Sequence, residues 1–387
     1  MQQKIKKLIY FFTVFSFFKP DYFVGVGSKF NYVYSIFQSI LMVIGLLILF
    51  INIHNKKTSK IMYLIILYNI IILLSSFINN NGNAFSLIFK SALMISFCSV
   101  VEDSIINEDY CIVKYSYFLL YIYSIINIYT MFAYPNGMWV SPLTKYWQMW
   151  FLGYDNNHII ILLPLIVFGY IYNMKKHGKL NIYFYFMLFI VNFTVIKSWS
   201  ATSIVGIMLI DIFIMYSKNI NIKNIVKLFK LYVILFFLII LFRFQNIFSY
   251  LIVDILKKDL TFSNRTYIWD YIIKFITKKP LLGYGIQNSN IRFNISRSYK
   301  SFHAHNIFLE TIYRGGIILL IVFLIMIYFV IKKLKEYNNE FSKFFMWVIF
   351  VYGVILFTEF FEPVNFVYLL VIFYNISHIR KEDKLNG

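Results

Sequence analysis

Long apolar runs dominate this chain, and they constrain its fold more than any other feature. A bilayer core of about 30 Å is crossed by about 20 helical residues, so apolar runs of roughly 17–25 residues indicate transmembrane helices. We predict an all-α polytopic integral membrane protein with about twelve such helices and one long outer loop that contains an amphipathic helix. The predicted spans, of which the first is short, are 7–19, 31–53, 61–79, 84–101, 112–133, 158–173, 180–196, 199–217, 228–246, 306–332, 343–359 and 364–380.

The amino-acid composition excludes the other common classes of protein. Hydrophobic residues make up 60% of the chain and charged residues 14%, whereas soluble domains carry about a quarter charged residues. A soluble globular enzyme, a disordered chain and a disulfide scaffold are therefore excluded. The two cysteines, Cys98 and Cys111, have no disulfide or metal-binding spacing.

The charge of the chain is strongly basic, with 37 Lys and Arg against 17 Asp and Glu and a formal net charge of +20. In a soluble protein this excess would indicate nucleic acid. Here every basic stretch falls on the same side of the predicted spans if the N-terminus is cytoplasmic, and the positive-inside rule assigns that side to the cytoplasm. We therefore predict both termini inside and no nucleic-acid partner. The basic stretches are 4–7, 56–60, 175–179, 218–230, 332–343 and 380–384.

The predicted outer side carries two loops longer than a connection requires, at about 134–157 and 246–304. Tyr146, Trp147 and Trp150 in the first suit an aromatic belt. The second holds nine basic residues against three acidic ones, although positive-inside bias disfavours basic charge there. We divide the chain accordingly into N-terminal transmembrane helices, a large extracytoplasmic loop and C-terminal transmembrane helices. The bounds are 1–245, 246–304 and 305–387.

An amphipathic helix is predicted inside the large loop. Ser263 or Asn264 can cap its start, and Pro280 ends it. Its apolar residues recur at the i, i+3, i+4, i+7 and i+8 spacing of one helix face, which is typical of a helix lying on a membrane surface. Those residues are Ile268, Tyr271, Ile272, Phe275 and Ile276.

The segment 301–316, where the loop re-enters the membrane, is the most informative part of the sequence. It places His303, His305, Asn306, Glu310 and Arg314 at the outer end of a span, where ionisable groups are costly and are functional candidates. The spacing of Glu310 and Arg314 predicts an ion pair along the helix, which is either structural or catalytic. Two histidines spaced His-x-His are weak evidence for a metal, so no metal is predicted. A histidine at the membrane boundary can accept a proton near neutral pH.

Three segments resemble the O-antigen polymerase and O-antigen ligase superfamily. His305-Asn306, with Leu309-Glu310 and then Gly316, is similar to the family's entry to its late helix. The second segment has Asn264-Arg265 and Ile268-Trp269 followed by Lys279-Pro280-Leu281-Leu282-Gly283-Tyr284-Gly285, and it resembles the run in the family's large outer loop. The third is Phe151-Leu152-Gly153-Tyr154-Asp155-Asn156-Asn157, similar to a segment of capsular polysaccharide polymerases.

Two positions depart from the family pattern. Many members carry an Arg at the outer start of the span that begins here with Lys197-Ser198-Trp199, so either Lys197 supplies that charge or the role is absent. A glycine expected three residues after Gly316 is replaced by Leu319.

The resemblance implies glycosyl transfer on the outer face of the bacterial cytoplasmic membrane, without a metal, nucleotide sugar or other cofactor. The donor would be an oligosaccharide on undecaprenyl diphosphate, and the acceptor a second lipid-linked repeat. The protein would then be a polymerase of O-antigen or capsular repeat units. It would work among membrane lipids beside a chain-length regulator and a flippase.

Candidate residues follow from this chemistry. A departing diphosphate needs positive charge, and Arg meets phosphate in a bidentate manner, so Arg265 is the first candidate. His305 is the expected base, with Glu310 as its orienting group or as an alternative base. Glu359 and Glu362, before Pro363, either approach the site or, as we expect, lie at an exposed helix end. The further substrate-binding candidates are Arg292, Arg297, Arg314, His303, Lys197 and Asn306.

Three alternatives stay open at this point. A ligase, which transfers the glycan to a lipid or protein acceptor, would share most of this site. A glycosyltransferase that uses a metal and an acid in the first outer loop would have only Asp21 as that acid. A transporter of lipid-linked sugars would show internal repeats, whereas no repeat occurs and the deep charges are limited to Lys90, Lys114 and Asp211.

Overall fold

The computed structural model is helical over 78% of its residues and contains almost no sheet. It describes residues 2–25, 28–140, 148–250, 254, 259–287, 293–294, 300–301 and 303–379. Two short antiparallel pairs, β1 (Trp139–Val140) with β2 (Gln148–Met149) and β3 (Phe293–Asn294) with β4 (Lys300–Ser301), are the strands of the described part. The helices are α1 (Gln2–Phe17), α2 (Asp21–Gly25), α3 (Ser28–His54), α4 (Lys60–Ile78), α5 (Ala84–Ile106), α6 (Cys111–Ala133), α7 (Ile159–His177), α8 (Ile182–Ser198), α9 (Ala201–Tyr216), α10 (Ile222–Ile240), α11 (Arg265–Ile276), α12 (Ile307–Tyr337), α13 (Glu340–Thr358) and α14 (Val367–Tyr374).

The all-α polytopic membrane fold predicted from the sequence is confirmed. Each of the twelve predicted spans overlaps a helix, and seven helices of the described residues are long and apolar enough to cross a membrane. Two shorter apolar helices, α8 and α9, accompany them. Helix α10 carries three lysines in its first half, and α14 has eight residues. The count of twelve crossings therefore stays a prediction. Tyr146 and Trp147 of the proposed aromatic belt lie outside the described residues.

The helices form two compact units that interleave along the chain. The first unit contains residues 1–62, 92–208 and 363–387, and α6 is its centre, since it packs against α1, α7 and α8. The second contains residues 63–91 and 209–362, in which α10 packs against α13 and α12 packs against α11 and α13. The three-part division drawn from the sequence follows the path of the chain and stays a prediction.

Helix α12 is interrupted at Gly316, where φ is +66° and ψ is −169°. The interruption leaves carbonyl groups of the preceding turn without helical partners. Residues 280–285 satisfy them, because Tyr284 N donates to Tyr313 O and Gly285 N to Arg314 O, both at 2.8 Å. In return, Ile317 N donates to Pro280 O at 2.8 Å. The Pro-Leu-Leu-Gly-Tyr-Gly run thus pairs, backbone to backbone, with the break in α12.

The end of α4 holds the same run from its other side. Ser75 Oγ donates to Arg314 O at 2.8 Å and also bonds Leu282 O. Asn79 and Asn81 donate through their side-chain amides to Gly283 O and Tyr284 O, at 3.1 and 2.6 Å. Polar side chains in an apolar helix are thereby satisfied by the backbone of a loop, as a low-dielectric setting requires.

Gly316 cannot be replaced by a larger residue without moving the loop. A Cβ at this position would lie 1.9 Å from Leu281 O, and its positive φ is a conformation that side chains other than glycine rarely adopt. We expect Gly316→Ala to lower the thermal unfolding temperature of the detergent-solubilised protein by several degrees.

The matched control for this substitution is Gly353→Ala. The nearest atom to a Cβ at Gly353 is 3.6 Å away, on Tyr232, which is ordinary van der Waals contact. Both variants add one methyl group inside the second unit, and the control should unfold within about a degree of the parent. Equal unfolding temperatures for the two variants would contradict the role assigned to the helix break.

Candidate active site

Helix α11 is anchored inside the second unit by its apolar face. Ile268, Trp269 and Ile272 are fully buried and pack with Ile240, Ala304, Leu309 and Tyr313. Trp269 Nε1 donates to Ala304 O at 3.0 Å. The sequence pattern predicted that this apolar face lies on a membrane surface. In the structure it packs against other parts of the protein.

The start of α11 differs from a side-chain cap. Asn264 occupies the N-cap position with φ of +68° and makes no capping hydrogen bond with its side chain. Instead, its own N–H donates to Thr261 Oγ1 at 2.8 Å. The predicted N-cap position is therefore confirmed at Asn264, whereas a left-handed turn built on Thr261 takes the place of a side-chain cap. Arg265 is the first helical residue, as expected.

Asn306 caps α12 and ties it to α13. Its Oδ1 accepts hydrogen bonds from Phe308 N and Leu309 N, at 3.1 and 3.0 Å, and its Nδ2 donates to Phe357 O at 2.9 Å. All of these bonds are buried or nearly so, and Asn306 is fully buried. The contacts fix the side chain of Asn306, a predicted substrate-binding residue, at the start of α12.

Glu310 fixes the turn that carries the two histidines. Its Oε2 accepts the Ala304 N–H at 2.8 Å, so one carboxylate oxygen holds the backbone directly before His305. That residue adopts φ of +48°, and its N–H donates to His303 Nδ1 at 3.3 Å. The ring centroids of His303 and His305 are 4.0 Å apart. Glu310 therefore acts on His305 through the backbone of the turn.

Glu359 brings Arg265 and His305 together. Its Oε1 accepts from Arg265 Nη2 at 2.5 Å, and its Oε2 lies 3.6 Å from His305 Nδ1. Only 5% of Glu359 is exposed, so the expectation of an exposed helix end is wrong for this residue. The backbone becomes extended at Glu359, directly after α13, and this turns the carboxylate into the unit instead of out to solvent.

The His305 ring is partly exposed and has one nitrogen buried against a carboxylate. His305 Nδ1 is buried and faces Glu359, whereas 28% of the side chain is exposed. A carboxylate at Nδ1 stabilises the tautomer with a proton there and supports the imidazolium that forms when Nε2 gains one. The pair has the arrangement of a general base with its orienting group, although 3.6 Å is long for a hydrogen bond.

Arg314 lies in a closed network of carboxylates. Its Nε donates to Glu310 Oε1 at 2.6 Å, which confirms the ion pair predicted along the helix. Its two terminal nitrogens donate to Glu362 at 2.7 and 3.0 Å. The guanidinium is buried and lies 4.5 Å from the ring centroid of Phe360. These contacts favour the structural interpretation of the pair, because they bind α12 to the segment after α13.

The remaining predicted residues lie elsewhere. Lys197 belongs to the first unit, where it is exposed and its ammonium lies 4.7 Å from the ring centroid of Phe132. Arg292 and Arg297 lie outside the described residues. The sequence reasoning missed Arg243, which bonds the Asp270 carboxylate and donates to Thr266 O at 3.2 Å. The sequence offered one signal for Arg243: it is a basic residue at the end of an apolar run, one loop before α11.

An apolar cavity of about 390 Å³ lies beside the start of α12. Helices α10, α11 and α12 form its walls, and its lining includes Phe308 and Leu309, which lie three and four residues after His305. Its other lining residues include Phe236, Ile240, Ile273, Ile276 and Leu320. Such a cavity accepts hydrocarbon and gives no hydrogen bond.

Comparison with known proteins supports the resemblance stated from the motifs. Residues 182–324 match the family described as O-antigen ligase. A protein of Rickettsia felis named "Putative polysaccharide ligase" is 38% identical over 87 residues, which are 20% of this chain and 21% of that relative. The chain thus spans about a fifth of the relative's length in this match.

These matches confirm the predicted resemblance to the O-antigen ligase and polymerase superfamily. The matched region contains Arg265, His305, Glu310 and Arg314, whereas Glu359 and Glu362 lie beyond it. The carboxylate that joins Arg265 to His305 therefore lies outside the region that the family match covers.

The buried network makes a prediction about stability. Arg314→Ala leaves the Glu310 carboxylate, which is 2% exposed, buried without its cation, and loss of one partner of a buried pair costs about 3–5 kcal/mol. We expect a large fall in unfolding free energy, measured by denaturant titration in detergent micelles.

Lys333→Ala is the matched control, because Lys333 and Glu336 form a pair on the same helix at 3.9 Å with both side chains partly exposed. Exposed pairs contribute about 0–1 kcal/mol. A loss for Arg314→Ala no larger than that for Lys333→Ala would show that the network does not hold α12.

Proposed function

We propose that this protein transfers a lipid-linked glycan, joining undecaprenyl-diphosphate-linked repeat units into O-antigen or capsular polysaccharide. The observation that carries the proposal is the Glu359 carboxylate, which holds Arg265 at 2.5 Å and faces His305 at 3.6 Å. One cation and one base thus share an orienting group, next to an apolar cavity. A glycosyl transfer from a lipid diphosphate needs these three features together.

Arg265 would stabilise the leaving group. In the transfer, the bond between the anomeric carbon and the diphosphate oxygen breaks, and the bonding pair leaves with polyprenyl diphosphate. A guanidinium has five N–H donors, and the described hydrogen bond to Glu359 uses only Nη2. The side chain is 16% exposed, so its charge acts in poorly hydrated surroundings, where electrostatic stabilisation is strong.

His305 would accept the proton from the acceptor hydroxyl. The hydroxyl oxygen of the acceptor sugar attacks the anomeric carbon, and its proton passes to His305 Nε2. Glu359 stabilises the imidazolium that results, because its carboxylate faces Nδ1. Glu310 and Asn306 hold the turn and the helix start, so they position the base without touching substrate.

The apolar cavity suits the hydrocarbon part of the donor. It lies against Phe308 and Leu309, within one helical turn of His305 in sequence. A polyprenyl chain placed there would leave one apolar environment, the bilayer, for another, so the cavity would position the chain by van der Waals packing. Its diphosphate would then lie near the start of α12, where Arg265 and His305 meet.

The setting of the reaction follows from the charge pattern. The proposal places the site on the outer face of the cytoplasmic membrane, with both termini inside. Lipid-linked repeats would arrive there by way of a flippase, and a chain-length regulator would act on the product.

A ligase is the second candidate, because the names of the matched family and of the relative both contain the word ligase. Both the matched family and the relative from Rickettsia felis are described as ligases. A ligase would use the same donor chemistry and differ only in the acceptor, a lipid or protein in place of another repeat. The two candidates therefore share Arg265, His305 and Glu359.

The proposal predicts loss of transfer in two single variants. Arg265→Ala and His305→Ala should reduce product by about 100-fold or more, since a lost electrostatic donor or general base costs on this order. The measurement is a gel ladder of polysaccharide from a deletion strain that carries each variant. Lys278→Ala and His177→Ala, both exposed, are the controls and should restore full ladders. Normal ladders from both site variants would refute the proposed site.

The same deletion strain distinguishes polymerase from ligase. Loss of a polymerase leaves single repeats on the lipid carrier, whereas loss of a ligase leaves long chains on that carrier and none on the final acceptor. Mass spectrometry of the extracted lipid-linked glycan reads this difference directly. Unchanged glycans in every fraction would refute both candidates.

Membrane orientation can be tested separately. In a protein with Cys98 and Cys111 replaced by serine, we introduce one cysteine at the exposed positions of Lys179 or Lys278. A membrane-impermeant maleimide should label the Lys278→Cys variant in intact spheroplasts, and the Lys179→Cys variant only after permeabilisation. The reverse pattern would contradict the predicted orientation.

A further inference from the structure

The first unit contains a polar cavity of about 280 Å³ that the proposed transfer reaction does not use. Its lining comes from the chain after α1, from the start of α7 and from the turn before α14. Four polar residues, Lys19, Asp21, Asn157 and Asn365, face it together with apolar residues such as Leu152 and Ile161. The volume is close to the lower end of small-molecule sites, about 300 Å³, so the cavity has room for a small ligand rather than a polymer.

Asp21 lies at the centre of this polar lining. Asn157 Nδ2 lies 3.3 Å from Asp21 Oδ2, and the carboxylate packs so closely on Gly153 that a Cβ there would lie 2.1 Å from Oδ2. Burial raises the pKa of Asp21, against the opposing effects of the Asn157 amide and the Lys19 ammonium. A half-buried carboxylate held in one orientation by an amide and a glycine is suited to accept hydrogen bonds from a ligand.

The turn beneath Asp21 is held by buried side chains of α6. Asn127 Oδ1 accepts from Leu152 N at 2.9 Å, and Thr130 Oγ1 accepts from Phe151 N at 3.3 Å. Trp150 and Gly153 close the turn with two backbone hydrogen bonds of 3.0 Å. Asn127 and Thr130 are buried in an apolar helix, where polar groups are costly unless they are satisfied. Buried polar side chains of the first unit therefore hold the turn that lines one side of this cavity.

The charges around the cavity restrict the chemistry of its ligand. Lys19, which also bonds Asn31, and Asp21 carry opposite charges. An anion would meet the Asp21 carboxylate, and a cation would meet the Lys19 ammonium, so neither is favoured. Asn157 and Asn365 add donors and acceptors, whereas the apolar walls suit C–H groups. A neutral ligand with many hydroxyl groups and apolar ring faces fits this combination best.

We propose that this cavity binds one neutral pyranose ring through hydrogen bonds from its hydroxyl groups to Asp21 and Asn157. The lining segments follow α1 and precede α7 and α14, which the charge pattern predicts to be outer helix ends. The proposal goes beyond the transfer reaction, since binding here needs neither Arg265 nor His305. It also gives Asp21 a role other than that of an acid partnering a metal.

The test is direct binding by the full-length protein in detergent. Saturation-transfer NMR is recorded with glucose, galactose, N-acetylglucosamine and rhamnose, each titrated separately, and with acyclic sorbitol as a comparison. At least one pyranose should bind saturably with a dissociation constant in the millimolar range, and sorbitol should not compete.

Two variants locate the binding in the cavity. Asp21→Asn should weaken affinity about tenfold or more, because hydrogen bonds to a charged acceptor are the strong ones. Ile160→Trp adds bulk to a residue that lines the cavity and should abolish binding even if Asp21→Asn fails to fold, with thermal unfolding as the check. The matched control is Asp103→Asn, a carboxyl-to-amide change at a residue that pairs with Lys6 at 3.2 Å, and it should bind as the parent does.

Two results would overturn the proposal. One is the absence of saturable binding by all four sugars, and the other is binding that both Asp21→Asn and Ile160→Trp leave unchanged. Arg265→Ala and His305→Ala should keep full affinity for the sugar. Failure of the proposed transfer reaction and failure of this cavity are thereby measured independently.

Discussion

The guanidinium of Arg314 is buried inside the second unit, and the arrangement of the candidate site depends on how its charge is compensated. Glu310 and Glu362 supply two carboxylates at 2.6–3.0 Å. Each of them also belongs to a segment that the site needs. The second oxygen of Glu310 holds Ala304 N, directly before His305, and Glu362 lies three residues after Glu359. A buried cation that need not touch substrate thus fixes both the base and the carboxylate that orients it.

The break at Gly316 shows how a motif can be structural without being catalytic. An unbroken α12 would bond its own carbonyl groups and leave the Pro280–Gly285 run without backbone partners. With the break, this run and the end of α4 satisfy the carbonyls of Tyr313 and Arg314. The glycines of the motif are required by close backbone approach, since a Cβ on Gly283 would lie 2.4 Å from Tyr313 O. The loop therefore holds the helix that carries Glu310 and Arg314.

Both units use polar side chains near helix ends to hold a loop. In the second unit, Ser75, Asn79 and Asn81 bond the backbone of residues 282–284. In the first, Asn127 and Thr130 bond the turn beneath Asp21. In a low-dielectric setting an unsatisfied polar group is costly, so each such contact fixes its loop more firmly than it would in water. Loops held in this way can present reactive or binding groups with little conformational freedom.

The sequence by itself determined what depends on local spacing. Apolar runs marked the helices, the i, i+4 spacing of Glu310 and Arg314 predicted their ion pair, and the motifs predicted the superfamily. Tertiary structure alone decided the partners that come from distant parts of the chain. Glu359 reaches Arg265 across 94 residues, and Ser75 reaches Arg314 across 239. Neither contact produces a periodic pattern in the sequence, because each forms only when helices distant in the chain pack together. The burial of Glu359 and the cavity around Asp21 were therefore hidden from any local pattern.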